Sequence, residues 1–173
     1  EVSLLEIMKK FIEVNFSLKS LKKKNETIRG FASLSKDKTK LLVGDYIPRI
    51  GLEGSVKAEG RDIIPSPYLS GMLDKFLDGT FQPAFETARG CPFLCSFCDQ
   101  GLDESKITTF STKRLADEME YVGKKISKIK NATMSISIFD SNWGLFQKDV
   151  DLADNILKVM DKYDCPQHIR CST

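Results

Sequence analysis

Leu4, Leu5, Met8, Phe11 and Ile12 recur at helical spacing, which predicts a helix from about residue 4 to 14. Ser3 and Glu6 give its start the form of a capping box. The basic run Lys19 to Lys24 reads as a solvated loop or helix end rather than a binding patch. Thr27 to Ser33 and Lys40 to Val43 read as short strands joined by a polar turn. The stretch that follows, to residue 67, is rich in Gly, Pro and charge and reads as a linker.

From residue 68 the pattern turns regular. Tyr68 to Leu77 predicts a short helix and Pro83 to Thr87 a strand. Thr112 to Lys125 predicts a helix with Leu115, Met119, Val122 and Ile126 on one face. Ala132 to Phe139 is the next strand. Asp149 or Asp151 caps a helix whose stripe is Leu152, Ala153, Ile156, Leu157 and Met160, with Lys158 and Lys162 toward its C-terminal end. His168 to Ser172 is the last strand. Strands alternating with helices of this length point to parallel βαβ units.

Two strands have one apolar and one polar face. Met134, Ile136 and Ile138 alternate with Thr133, Ser135 and Ser137, and Ile169 and Cys171 with His168, Arg170 and Ser172. Strands covered by apolar layers on both sides read as unbroken apolar runs. Here one face suits packing under helices. The other suits either the lumen of a barrel holding a polar ligand or a solvent-facing surface.

Composition changes this picture little. The 173 residues suffice for a sizeable core, and the formal net charge of +2 gives nucleic-acid binding no support. No apolar run reaches membrane-spanning length and no signal peptide is visible. The five cysteines are an odd number, and free thiols imply a reducing, cytoplasmic setting. The chain starts with Glu and stops just after a predicted strand, so it reads as an internal fragment of a longer protein.

The chemistry concentrates in Arg89-Gly-Cys-Pro-Phe-Leu-Cys-Ser-Phe-Cys-Asp-Gln-Gly101. Cys91, Cys95 and Cys98 form a CxxxCxxC loop, and three thiolates at that spacing can hold three irons of a 4Fe–4S cluster. Such a cluster takes four ligands, so one iron stays open. Two other readings stand beside this one. The first is a structural zinc site completed by Cys165, Cys171 or His168, the only histidine. The second is an electron-transfer cluster whose fourth thiolate is Cys165 or Cys171.

CxxxCxxC with an aromatic, Phe97, before the last cysteine resembles the signature of the radical S-adenosylmethionine superfamily. Ile64-Pro-Ser-Pro-Tyr-Leu-Ser-Gly71, Glu86-Thr-Ala-Arg-Gly-Cys91 and Phe139-Asp-Ser-Asn-Trp-Gly144 narrow the likeness to its cobalamin-binding branch. The likeness covers roughly residues 60 to 173. It implies a fold class of α/β: the N-terminal half of a parallel (βα) partial TIM-type barrel, preceded by a small α+β segment and linker. Residues 1–45 become the tail of a truncated upstream, cobalamin-binding domain or else a small independent cap on the barrel, 46–67 the linker, and 68–173 the first three βα units.

The resemblance also implies an activity. Cys91, Cys95 and Cys98 hold the cluster, and the methionyl amine and carboxylate of S-adenosylmethionine chelate its fourth iron. Reductive cleavage then gives a 5′-deoxyadenosyl radical for methyl transfer or rearrangement of an unknown substrate. A one-electron donor of flavodoxin or ferredoxin type is implied. So is cobalamin, held by a region outside this chain, because the DxHxxG ligand motif is not in it. Phe97 would face the adenine, or merely pack in its loop. Many members have Gly-Gly-Glu after the second strand, where this chain has Asp140-Ser-Asn142. Asp140 or Asn142 could supply the oxygen for the amine; Asp140 could equally cap a turn. Arg170 reaches the carboxylate or pairs with an acidic neighbour, and Ser172 stands at the same rim. Glu86 either points inward as a polar ligand or pairs with Arg89.

Overall fold

The computed structural model describes residues 2–47, 50, 60–98, 107–130 and 135–172. The chain divides into two compact units, Glu1–Glu53 and Gly54–Thr173.

In the first unit, α1 spans Val2–Glu13 and α2 spans Leu18–Lys24. Ser3 therefore lies inside the first helix rather than capping it. The lysine run is helical: Ser17 accepts a hydrogen bond from the Ser20 amide at 3.2 Å, and Asn25 closes the helix in the left-handed conformation. Strands β1 (Ala32–Leu34) and β2 (Leu41–Val43) pair antiparallel. The stretch Thr27 to Phe31, predicted as strand, is not one. Its backbone is drawn into a turn, the Phe31 amide donating to the Ile28 carbonyl at 3.0 Å, and the Gly30 and Gly44 amides donate to the Asp45 and Phe31 carbonyls. Gly44 is required there, since a Cβ would sit 2.0 Å from the Ile28 carbonyl oxygen. Pro48, Arg49 and 51–59 of the expected linker lie outside the described residues.

The second unit is mixed α/β. Strands β3 (Ala84–Phe85), β6 (Ser135–Ile138) and β7 (His168–Cys171) form a parallel sheet in the order β3-β6-β7. The register sets Phe85 beside Ile138 and Ile138 beside Cys171, so the three C-terminal ends are level. The expected parallel arrangement is present. Of the second strand's predicted faces, Thr133 and Met134 lie outside the described residues. Ile136 and Ile138 are buried in the core as predicted, and Ser137 is buried as well.

Helices α3 (Thr112–Ile126) and α4 (Gln147–Tyr163) cover the apolar side. Leu115, Met119, Val122 and Ile126 meet Leu152, Ile156 and Val159. Gly123 lets the two helices approach closely: a Cβ there would stand 2.5 Å from Val159 Cγ1. Burial of such aliphatic side chains contributes roughly 1.5–3 kcal/mol each. Leu157 of the predicted stripe is instead exposed, and Val159 takes the buried place. Asp149 does serve the start of α4, but from inside its first turn. Its Oδ2 accepts from the amides of Phe146 (3.0 Å) and Gly144 (3.1 Å).

Tyr68 to Leu77 does not make the predicted helix. It runs as turns with one 3₁₀ segment, Asp74–Phe76. Gly71, at φ +74°, interrupts it. Tyr68 stays in place by stacking on Phe85 at 4.9 Å and by exchanging hydrogen bonds with the backbone of Ala84. A second antiparallel pair, β4 (Ala88–Arg89) and β5 (Thr108–Thr109), closes the base of the cysteine loop. The sequence pattern does not predict it, because each strand has only two residues.

Candidate functional site

The site lies where the sheet's three strands end. Leaving β3, the chain kinks at Thr87 into β4 and reaches Cys91. Leaving β6, it passes through Phe139-Asp-Ser-Asn-Trp-Gly144. Leaving β7, it reaches Ser172, while Thr173 lies outside the described residues.

Three ties bring these ends together. Asp140 accepts from the Thr87 amide at 2.6 Å and from the Thr87 hydroxyl, both in the interior. Asn142 Nδ2 donates to Cys91 Sγ at 3.2 Å. The Trp143 amide donates to the Ser172 carbonyl at 3.0 Å. A carboxylate, an amide side chain and a peptide group thus fasten the loop after β6 to the loops on either side. Burial pushes the Asp140 carboxyl above its ordinary value of 3.8, against the opposing pull of the Thr87 hydrogen bonds.

A charged shelf lies beneath the cysteine loop. Glu86 accepts from Arg61 Nη2 at 3.1 Å and from Arg89 Nε at 2.8 Å. The pairing alternative for Glu86 is therefore realised, with a second arginine that the sequence reading had placed in a linker. Arg61 is 1% exposed and lies 4.9 Å from the centre of the Phe110 ring, and Arg114 lies 4.2 Å from it. Arg114 in turn pairs with Glu118 at 3.0 Å and donates to the Ile64 carbonyl. The Ser111 amide donates to Asp62. The segment 60–64 is thereby fastened to the start of α3 and lies against β5.

The three cysteines are free thiols. Cys91 is half-buried, while Cys95 and Cys98 are exposed and joined by a tight turn, the Cys98 amide donating to the Cys95 carbonyl at 3.1 Å. Residues 99–106, the remainder of the loop, lie outside the described residues. Among the described residues, no three potential metal ligands stand at coordinating distances from one another. The donor set nonetheless fits an iron–sulfur cluster: three soft thiols, none in a disulfide and none in the apolar core, lie at a sheet edge with one sulfur already oriented. Cys165 is different. It is 2% exposed, belongs to the core between the helices, and burial pushes its thiol up. It also precedes β7, whereas Cys91 follows β3 in the same parallel sheet, so the two lie toward opposite strand ends.

Other predicted site residues are placed as follows. Phe97 is 91% exposed and free to cover a ligand. Arg170 is exposed and in register with Ser137, on the side of the sheet opposite Ile136 and Ile138. Ser172 is exposed and contributes its carbonyl to Trp143. Thr87, Arg61 and Phe110 support the site and were not singled out from sequence. Arg61 and Thr87 find their partners 25 and 53 residues away, and no local spacing encodes that.

No described helix is long and apolar enough to cross a membrane. No family model matches the chain. Similar proteins do exist. Over 113 residues the chain is 31% identical to the cobalamin-dependent radical SAM methyltransferase TokK of Streptomyces tokunonensis. It is 30% identical to the 2-(S-pantetheinyl)-carbapenam-3-carboxylate methyltransferase of Streptantibioticus cattleyicolor. Each match takes in 61% of this chain and 16% of the relative, so the chain spans a small part of the length of the relatives it matches. The kinship read from the cysteine loop and its flanks is borne out by these two proteins.

Proposed function

We propose that this chain, a relative of the cobalamin-binding radical S-adenosylmethionine enzymes, carries the cluster-binding part of a radical methyltransferase. The observation that supports this most is the convergence of the CxxxCxxC loop with Asn142 and Ser172 at the C-terminal edge of a parallel sheet. Ligands of parallel α/β proteins gather at that edge. The three parallel strands are read as the first half of a TIM-type barrel.

Cys91, Cys95 and Cys98 would hold the 4Fe–4S cluster, leaving one iron for the amine and carboxylate of S-adenosylmethionine. When bound, the cluster supplies one electron to the sulfonium and so starts the radical chemistry. This chain's residues bind and orient. Phe97 covers the adenine. Arg170, on the polar side of the sheet, is the candidate for the carboxylate. Asp140 spends both oxygens on Thr87, so its part is to fix the loop that carries Asn142. Methyl transfer through cobalamin to a substrate of unassigned class, with a flavodoxin- or ferredoxin-type donor, completes the proposal. The relatives named as methyltransferases support transfer over rearrangement.

Metal content tests this reading. Anaerobic reconstitution is expected to give a brown protein with about four irons and four sulfides per chain, the stoichiometry of one cubane. One tightly held zinc per chain and no iron would favour the structural zinc site instead.

A further inference from the structure

Asn142 is held from both sides. Two residues before it, Asp140 is pinned to Thr87, and one residue after it, the Trp143 amide is pinned to Ser172. The short backbone between these ties has little freedom, and it aims the Asn142 side chain at Cys91 with Nδ2 3.2 Å from Sγ. The polarity of that contact is set by chemistry. A thiolate accepts hydrogen bonds, so the amide N–H belongs toward sulfur, and a carbonyl oxygen in its place would be repelled. Cys91 is also the least exposed of the three loop cysteines, which leaves this contact less diluted by water than one at Cys95 or Cys98 would be.

We infer that Asn142 is a positioning residue that donates a hydrogen bond to the Cys91 thiolate and raises the reduction potential of the cluster that thiolate holds. This rests on the cluster reading given above. The physical reason is charge. Reduction adds an electron to an already anionic centre, and a donor on a ligating sulfur stabilises the reduced form more than the oxidised one. A radical enzyme of this kind must reduce its cluster before it can cleave its cofactor. The contact would therefore ease that first step.

The test is a redox titration of the reconstituted full chain without S-adenosylmethionine, followed by electron paramagnetic resonance. Wild type is compared with Asn142→Leu, which keeps the bulk and removes the donor. Equal iron content is required of both. Poised at the wild-type midpoint, the variant is expected to show about a tenfold lower ratio of reduced to oxidised cluster, a downward shift of about 59 mV for a one-electron couple. Asn142→Gln, which keeps an N–H donor, is expected to recover part of the shift. If Asn142→Leu loses its iron, Asn142→Ala answers the same question, since it removes the donor without adding a charge. An unchanged ratio at equal iron content would overturn the role of Asn142 and leave the cluster reading standing. A wild type that takes up no iron would overturn both, and the iron analysis tells the two failures apart.

Discussion

Cys95→Ala is expected to lose the reconstituted cluster, with iron and sulfide falling to background and the charge-transfer absorbance disappearing. Removing a partner outside the ligand sphere typically costs about 10–100-fold in metal affinity, and removing a ligand costs at least that. Cys95 is exposed in a tight turn with Cys98, the next cysteine of the loop. Cys165→Ala is expected to keep full iron, because that thiol belongs to the apolar core. With Cys171→Ala, which removes the exposed thiol at the end of β7, these variants separate three readings. A cluster that survived Cys95→Ala would contradict the ligand assignment. A cluster lost in Cys165→Ala or Cys171→Ala while the fold was retained would point to a fourth protein thiolate and an electron-transfer centre. Stoichiometric zinc in the wild type would point to a structural site.

Asp140→Ala is expected to be the most destabilising single change at the sheet edge, by about 3 kcal/mol or more. Hydrogen bonds to charged groups contribute about 1.5–3 kcal/mol each, and leaving a buried donor unmade adds its desolvation cost. Two donors are at stake, the amide and hydroxyl of Thr87, a residue with no exposed surface. Trp143 is the only tryptophan and lies in the same unit, so its fluorescence in urea reports the relevant transition. The midpoint should fall without a change in slope. Asp140→Asn keeps an acceptor for the Thr87 amide and should be milder.

The same residue has a pH signature. Burial raises the folded carboxyl above 3.8, so between 3.8 and the raised value the folded state holds more protons than the unfolded. The contribution of Asp140 to stability is then greatest below 3.8 and falls as pH rises through that window. The Asn variant should lack this slope. Parallel slopes for the two proteins would show that the carboxyl titrates normally in the fold.

The two long helices of the second unit were legible in the sequence, because each carries enough period-3.6 positions to define a buried face. Ile136 and Ile138 gave the central strand in the same way. What could not be read was short or distant. The β4 and β5 pair has two residues per strand, too few for any period. Tyr68 to Leu77 has helical spacing, but its role is set by Tyr68 reaching Ala84 and by the positive φ of Gly71. Of the two readings of Lys19 to Lys24, a solvated loop or a helix end, the second holds, because Ser17 and Asn25 cap the run at both ends and Lys22 to Lys24 form the exposed last turn. At the site, the cysteine loop and its flanks carried the kinship that the two relatives show. The rim was anticipated from strand order, but its fastenings were not. Asp140 to Thr87 and Asn142 to Cys91 span 53 and 51 residues, and they exist only because parallel pairing levels the strand ends.

The central claim is that three cysteines leave one iron open for S-adenosylmethionine. Electron paramagnetic resonance of the reconstituted, dithionite-reduced chain, recorded with and without S-adenosylmethionine, tests it most directly. A reduced 4Fe–4S signal whose g values shift on adding the sulfonium is the predicted result. A cluster signal indifferent to it, in protein of full iron content, would contradict the claim.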